Sequence, residues 1–313
     1  STPKPSSAAS DVYKRQVWVR YGVDEILGLP STGQLPVVEV GDRSLVSVKQ
    51  MPEGTCIVDT EGNADLVQVV FPVLHGPFGE DGTIQGLLEM AGVRYVGCGV
   101  AASANCMDKH LTKMILAEAG VLVGPYVVVR DHEWREDRNA VLKAASRLEY
   151  PLFVKPARGG SSIGISKVMS PDRLEAAIEV AREHDNKVLI EQGIRGREIE
   201  CSVLDGHHGA APRASVPGEI VVHDPDGFYD FEAKYLSGEQ KASVQARAKL
   251  DDEIRNRVQK VAIKAFRVLG CEGLARIDTF VAPDGTVYVN EPNTMPGFTR
   301  SSGFPLMLSL IHI

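Results

Sequence analysis

Arg276-Ile277-Asp278 and Asn290-Glu291-Pro292-Asn293-Thr294-Met295-Pro296-Gly297 decide the fold, because they place carboxylates, an amide and a guanidinium at strand spacing around a turn. Residues 273–281 and 286–291 are β-branched or alternating runs. Between them, Ala282-Pro283-Asp284-Gly285 has turn chemistry, so a hairpin is predicted. Pairing across that turn sets Asp278 near Glu291, and Glu291 and Asn293 share a face if the strand continues. Two carboxylates at such a place repel unless a divalent cation lies between them. Mg²⁺ accepts one or two carboxylates and completes its shell with water and phosphate oxygens, so Asp278, Glu291 and Asn293 read as a phosphoryl-transfer metal site. A solvated hairpin with incidental charges is the alternative, and the density of acids on one face argues against it.

Outward from the hairpin, Ile254, Val258, Val261, Ala262, Ala265, Phe266 and Leu269 recur at helical spacing and end at Gly270, which predicts a scaffold helix. Upstream, Val154-Lys155-Pro156 ends a strand and enters the loop Ala157-Arg158-Gly159-Gly160-Ser161-Ser162-Ile163-Gly164. Backbone N–H groups of such a loop can wrap phosphates. It is neither a Walker loop nor a dinucleotide fingerprint, since no helix follows and the required residues are absent. Lys155, and Lys109 in Met107-Asp108-Lys109, are candidate phosphate-binding point charges. Glu191-Gln192-Gly193-Ile194 closes a neighbouring strand where backbone groups can read an adenine edge, and Glu198 is placed to accept from ribose hydroxyls or to stand in solvent. The aromatic-rich segment Phe228 to Leu236 lies in a stretch with little periodicity and reads as a lid.

Toward the N-terminus, Asp65 to Leu74 reads as a buried parallel strand. His75-Gly76-Pro77-Phe78-Gly79-Glu80-Asp81-Gly82 follows as a loop, and a helix runs from Thr83 to Gly92. A further strand is predicted at Tyr95-Val96, a helix over Asn105 to Ala119, strands at 126–130 and 152–155 flanking a helix near 133–149, a helix opened by Ser170-Pro171, and strands near 187–191 and 197–204. His207 and His208 fall in a hairpin turn, where neighbours point to opposite faces and make poor co-ligands.

The 313 residues, 43% of them apolar, suffice for two or three lobes with cores of their own. A formal charge of −7 without any Lys/Arg block argues against nucleic-acid binding. No apolar run approaches the ~20 residues that span a bilayer, so no membrane association is expected. Five cysteines without a CxxC pair read as buried reduced thiols in a cytoplasmic protein.

Taken together, the His75-to-Thr83 segment, Met107-Asp108-Lys109, Lys155-Pro156 with its glycine loop, Tyr229-Asp230 through Lys234-Tyr235, and Asn290 to Gly297 occur in the order seen in a known family. The chain resembles the ATP-grasp ligases and, within them, the D-alanine D-alanine ligases, from about Asp65 to Ser302. The resemblance implies an α+β ATP-grasp fold with an incomplete Rossmann-like α/β N-terminal lobe. The implied divisions are 17–105 (partial substrate lobe), 106–195 (central ATP-grasp lobe) and 196–313 (C-terminal lobe with metal site and closing loop), with 1–16 outside the family pattern.

It implies ligation of two D-alanines through an acyl phosphate for peptidoglycan precursors, with ATP and two Mg²⁺ or Mn²⁺ ions, and a homodimer. Arg276 and the Gly297 N–H would stabilise the oxyanion, while Tyr235 would bond to Ser161 and close the site. His75 and Glu80 would lie by the first substrate and Ser302 by the carboxylate of the second. Lys109, Lys155, Gly159, Gly160, Ser161, Ser162, Glu191, Ile194, Glu198, Lys234 and Phe280 would bind ATP. Tyr235 resembles the amide-forming rather than the depsipeptide-forming type.

The family's opening βα unit, with a glutamate for the first D-alanine's ammonium, is not found, and its C-terminal helices are missing. A chain cut at both ends is therefore expected. That leaves two alternatives to the intact ligase: a silent ATP-binding fragment, or a related ATP-grasp carboxylate–amine ligase using another D-amino or D-hydroxy acid.

Overall fold

The computed structural model describes residues 18–20, 45–160, 163–222, 242–299 and 302–309. Ser161, Ser162, Lys234 and Tyr235 therefore lie outside the described residues, as does the whole of the expected lid from Phe228 to Leu236.

Near the N-terminus, β1 (Trp18–Val19), β2 (Leu45–Met51), β3 (Gly54–Asp59) and β4 (Ala64–Leu66) form an antiparallel sheet in that order. A short parallel pair joins β5 (Val69–Val70) to β6 (Arg94–Tyr95), with α1 (Thr83–Met90) between them in sequence. Ile84 and Leu88 of α1 pack with Val93, Val67 and Val70. The single buried parallel strand expected over 65–74 is not what forms. Leu66 belongs to an antiparallel edge, and both it and Val69 are 57% exposed. Among the described residues β5 has one strand partner, and Pro72 has no N–H with which to extend the ladder, so the apolar run is split and half of it faces outward.

The helix expected over 105–119 starts earlier and is broken. α2 spans Val100–Met107 and α3 Lys109–Glu118, separated by Asp108 in extended conformation. The Asp108 carboxylate accepts from the His110 and Leu111 N–H groups at 3.1 and 3.2 Å, so it starts a new helix instead of continuing the old one.

A four-stranded antiparallel sheet follows, built from β7 (Tyr126–Arg130), β8 (Leu152–Pro156), β9 (Ser166–Val168) and β10 (Lys187–Gln192) in the order β7-β10-β8-β9. The predicted 133–149 helix is two short ones, α4 (Asp131–Glu136) and α5 (Arg138–Ala145), because Asp137 caps the second through the Ala140 N–H at 3.0 Å. These and α6 (Leu174–Arg182) cover one face of the sheet, burying Trp134, Val141 and Ile178 on Val129, Val154 and Ile190.

The third sheet holds β11 (Arg197–Leu204), β12 (Arg213–Ala214), β13 (Gly218–Val222), β14 (Ala242–Gln245), β15 (Leu274–Val281) and β16 (Val287–Asn293). Its order is β14-β13-β11-β15-β16, with β12 on β11. The predicted scaffold helix is α7 (Asp252–Val268), capped by Asp251 on the Ile254 N–H at 2.8 Å and ended by Gly270 at φ 71°. Its buried stripe of Val258, Ala262, Ala265 and Phe266 packs on Ile199, Ile277 and Val289, leaving the other face of the sheet for chemistry. Full burial of a side chain as large as Val258 or Phe266 contributes about 1.5–3 kcal/mol. The chain's last described element is α8 (Gly303–Ser309).

All five cysteines are free and buried. Among the described residues, no helix is long and apolar enough to cross a membrane.

Candidate active site

The hairpin forms as the sequence predicts. The Asp284 carboxylate accepts from the Thr286 N–H at 2.9 Å and Gly285 takes φ 79°, which closes the turn. Asp278 pairs in register with Glu291, and Arg276 with Asn293. The sequence did not announce a β-bulge between Asp278 and Thr279, where Thr279 faces Val289 and Asn290 is the extra residue. Val287 and Val289 point into the core, so a regular strand would send Glu291 after them. The bulge switches the alternation and puts Glu291 and Asn293 on the face of Arg276 and Asp278.

Arg276 donates from Nε and Nη2 to the two Asp278 oxygens, each at 2.7 Å, and lies 3.3 Å from Glu200. Burial opposes its charge, but Asp278 and Glu200 more than offset this and hold the guanidinium well above its ordinary pKa. Asn293 Nδ2 donates to Asp278 at 2.9 Å. Glu200, 6% exposed and in register with Asp278, is a site residue that sequence reading missed. The alternation Glu198-Ile199-Glu200 was the signal, since it sets both acids on the cleft side of β11.

Across the cleft, the helix break at Asp108 aims α3 at the glycine loop. The Lys109 N–H donates to Ala157 O at 2.9 Å and Lys109 Nζ to Gly159 O at 2.7 Å, while that Nζ stands 3.7 Å from Glu291. Asp108 also pairs with Lys187, and Arg158 is held at the loop's root by Asp185 through N–H, Nε and Nη2 contacts of 2.8, 3.1 and 2.6 Å. Lys155 Nζ lies 2.8 Å from Glu191 Oε2, and Lys113, which sequence reading did not single out, lies 3.4 Å from Oε1. Burial pushes the Lys109 and Lys113 ammoniums below the ordinary lysine value. Burial would raise the Glu191 carboxyl, but Lys155 and Lys113 prevail and lower it.

The loop after Leu74 docks on the main chain that follows the Asp278–Glu291–Asn293 face. His75 Nδ1 lies 2.9 Å from Met295 O. Glu80 accepts from the Gly76 N–H at 2.7 Å and the Met295 N–H at 3.3 Å, and burial raises its carboxyl above the ordinary range despite those donors. Phe78 holds φ 66°, a sterically costly value for a bulky residue, and this strain sits in the loop that carries both groups. Gly97 turns beneath Met295, and a Cβ there would come within 2.9 Å of the Met295 methyl. At Gly297, a Cβ would meet Ser302 Oγ at 2.7 Å, so glycine is required for Ser302 to approach. Ser302 Oγ in turn accepts from the Thr299 N–H at 3.0 Å.

Every described residue that the sequence reading placed in the site lines one cleft of about 930 Å³, Ile194, Glu198, Phe280 and Ser302 included. Its two walls have opposite chemistry. Lys113 and Lys155 share Glu191, whose Oε1 makes no hydrogen bond, while Lys109 stands against Glu291, and three ammoniums set together on this wall suit a polyanion. The opposite face offers Asp278, Glu291 and Asn293, a hard-oxygen set of the size Mg²⁺ accepts when phosphates complete its shell. Among the described residues no group of three His, Cys, Asp or Glu is arranged to hold a metal unaided. Fold and site together define an ATP-dependent ligase with the ATP-grasp architecture.

Comparison with known proteins makes the assignment narrower. Residues 24–98 match the family described as D-ala D-ala ligase N-terminus, and residues 115–310 the D-ala D-ala ligase C-terminus. A D-alanine–D-alanine ligase of Arthrobacter sp. (strain FB24) is 50% identical over 301 residues, covering 95% of this chain and 78% of the relative. Among solved structures, the D-alanine-D-alanine ligase from Coxiella burnetii superposes with TM-score 0.73 at 33% identity, over 86% of this chain and 70% of that one. The VanG D-Ala:D-Ser ligase from Enterococcus faecalis superposes with TM-score 0.75 at 38% identity, over 87% and 76%. The chain belongs to the D-alanine–D-alanine ligase family. The match begins well before Asp65, where the recognisable motifs start.

Proposed function

We propose that this chain joins two D-alanine molecules into D-alanyl-D-alanine at the expense of ATP, for peptidoglycan precursor synthesis. The observation that carries the reading is the bulged β15–β16 face, with Arg276, Asp278, Glu291 and Asn293 set against three buried lysines. The triphosphate lies between the walls, with Lys109 and Lys155 on its oxygens and the loop through Gly159 and Gly160 over it; Glu191, Ile194, Glu198 and Phe280 hold the nucleoside. Two divalent cations, Mg²⁺ or Mn²⁺, held by Asp278, Glu291 and Asn293, would neutralise phosphate charge during transfer.

The carboxylate of the first D-alanine, beside His75 and Glu80, attacks the γ-phosphorus. The P–O bond to ADP breaks and an acyl phosphate forms. The free amine of the second D-alanine, with its carboxylate at Ser302, then attacks the acyl carbon. Arg276 and the Gly297 N–H stabilise the oxyanion, phosphate leaves with one oxygen of the original carboxylate, and the amine loses a proton. Tyr235, Ser161, Ser162 and Lys234 belong to the closing side of the same scheme, which keeps water from the acyl phosphate. Assembly as a homodimer in the cytoplasm accompanies this reading as a family expectation.

The test is ligation with D-alanine labelled by ¹⁸O in its carboxylate, followed by mass spectrometry. Dipeptide together with one ¹⁸O in the released phosphate is expected. Phosphate without label, or phosphate without dipeptide, would overturn the route. Parallel reactions with D-serine or D-lactate as second substrate decide between the amide- and ester-forming alternatives.

A further inference from the structure

Lys113 is a cleft residue to which the scheme above gives no role. It stands one helical turn beyond Lys109 on α3, so the two share a face. It is only 2% exposed, yet it lines the cleft, with Nζ 5.5 Å from the centre of the Tyr126 ring. Its partner is Glu191 Oε1 at 3.4 Å, while Glu191 Oε2 holds Lys155 at 2.8 Å. Glu191 is 7% exposed and comes from β10, whose neighbour β8 carries Lys155. The glutamate is thus a two-ended bracket, with one oxygen toward α3 and the other toward the lysine at the mouth of the glycine loop.

A lysine buried merely to fill space would cost desolvation for nothing, because an apolar side chain of similar length packs as well. A carboxylate facing one ammonium could also rotate about its terminal torsion and take both oxygens to it. The second ammonium prevents that rotation.

We propose that Lys113 is a positioning residue for nucleotide binding: through Glu191 it fixes the direction of Lys155 toward the triphosphate, without touching the phosphates itself. The inference rests on the ATP-dependent reading of the cleft. It assigns Lys113 to ground-state ATP binding, whereas Arg276 acts as charge develops.

The experiment compares Lys113→Met, Lys113→Arg, Glu191→Gln and the Lys113→Met/Glu191→Gln double variant. ATP kinetics are measured at saturating D-alanine, and Mg-ADP binding by titration calorimetry. Lys113→Met is expected to raise KM for ATP and the ADP dissociation constant about tenfold, with kcat within about threefold of wild type. Lys113→Arg is expected to recover most of the loss, and the double variant to bind ADP no worse than Glu191→Gln alone. An unchanged dissociation constant in Lys113→Met, an arginine variant as weak as the methionine one, or additive losses in the double variant would each overturn the proposal. Should wild type bind ADP yet form no dipeptide, the calorimetry still decides Lys113, and the failure belongs to the assigned ligation.

Discussion

The two walls of the cleft solve opposite electrostatic problems. On the hairpin side, carboxylates Glu200, Asp278 and Glu291 outnumber the single guanidinium of Arg276. On the other, Lys109, Lys113 and Lys155 outnumber Glu191. Either wall alone is a buried charge imbalance, which proteins avoid unless a ligand completes it. One wall calls for cations and the other for phosphates, and a metal–nucleotide complex supplies both at once. The proposed scheme divides roles along the same line: the hairpin groups would face the atoms that change charge, and the lysine bracket would hold the nucleotide.

The largest expected effect is on the hairpin wall. Arg276→Lys removes the paired contacts to Asp278 at 2.7 Å and, in the proposed scheme, one oxyanion donor. It should lower kcat by about 10²–10³-fold with little change in ADP affinity, measured by steady-state kinetics and calorimetry. Equal losses in kcat and affinity would erase the division of labour between the walls.

Glu191→Gln breaks the lysine bracket and leaves two ammoniums without their counter-charge. Denaturant unfolding at pH 7 should show a loss of about 3–5 kcal/mol. The folded pKa of Glu191 is depressed below 4.5, so its contribution to stability is present above that value and is lost as pH falls through the lowered one. The wild-type and Gln curves should therefore converge in acid. Curves that stay parallel down to acid unfolding would contradict the pairing.

A smaller effect is expected where the walls meet the N-terminal loop. Glu80→Gln leaves one oxygen to serve the Gly76 and Met295 N–H groups, and Gly297→Ala drives a methyl against Ser302 Oγ. Each should lower kcat/KM for D-alanine about tenfold and leave KM for ATP in place, as expected for misplaced substrate contacts. Smallest is the control, Arg138→Ala, outside the cleft lining, which removes half-exposed pairings to Glu175 at 2.6 Å and Glu179 at 3.2 Å and a guanidinium lying over the Trp134 ring. It should change stability by at most about 1 kcal/mol, read by thermal unfolding, and activity not at all.

How legible the site was depended on the range of the contacts. The hairpin, its turn and the pairing of Asp278 with Glu291 are local, and residue types and spacing carried them. The bulge that turns Glu291 out of the core was not legible, because the extra residue is defined only by the partner strand. Glu200 and Lys113 had signals, an i,i+2 alternation on β11 and an i,i+4 repeat on α3, but both patterns are common enough to pass unremarked. The docking of His75 and Glu80 on Met295 had none, since it engages a main chain more than two hundred residues away. The 65–74 run misled because continuous apolarity reports what a segment could bury, and the number of neighbouring strands decides what it does bury.

The most direct test of two complementary walls is D-alanine-dependent phosphate release from MgATP by wild type and by the Asp278→Ala/Glu291→Ala double variant, with ADP binding measured beside it. Wild-type release that disappears in the double variant, while metal-free ADP binding persists in a Lys155-dependent manner, is the predicted result. Undiminished release without the two carboxylates would contradict the account.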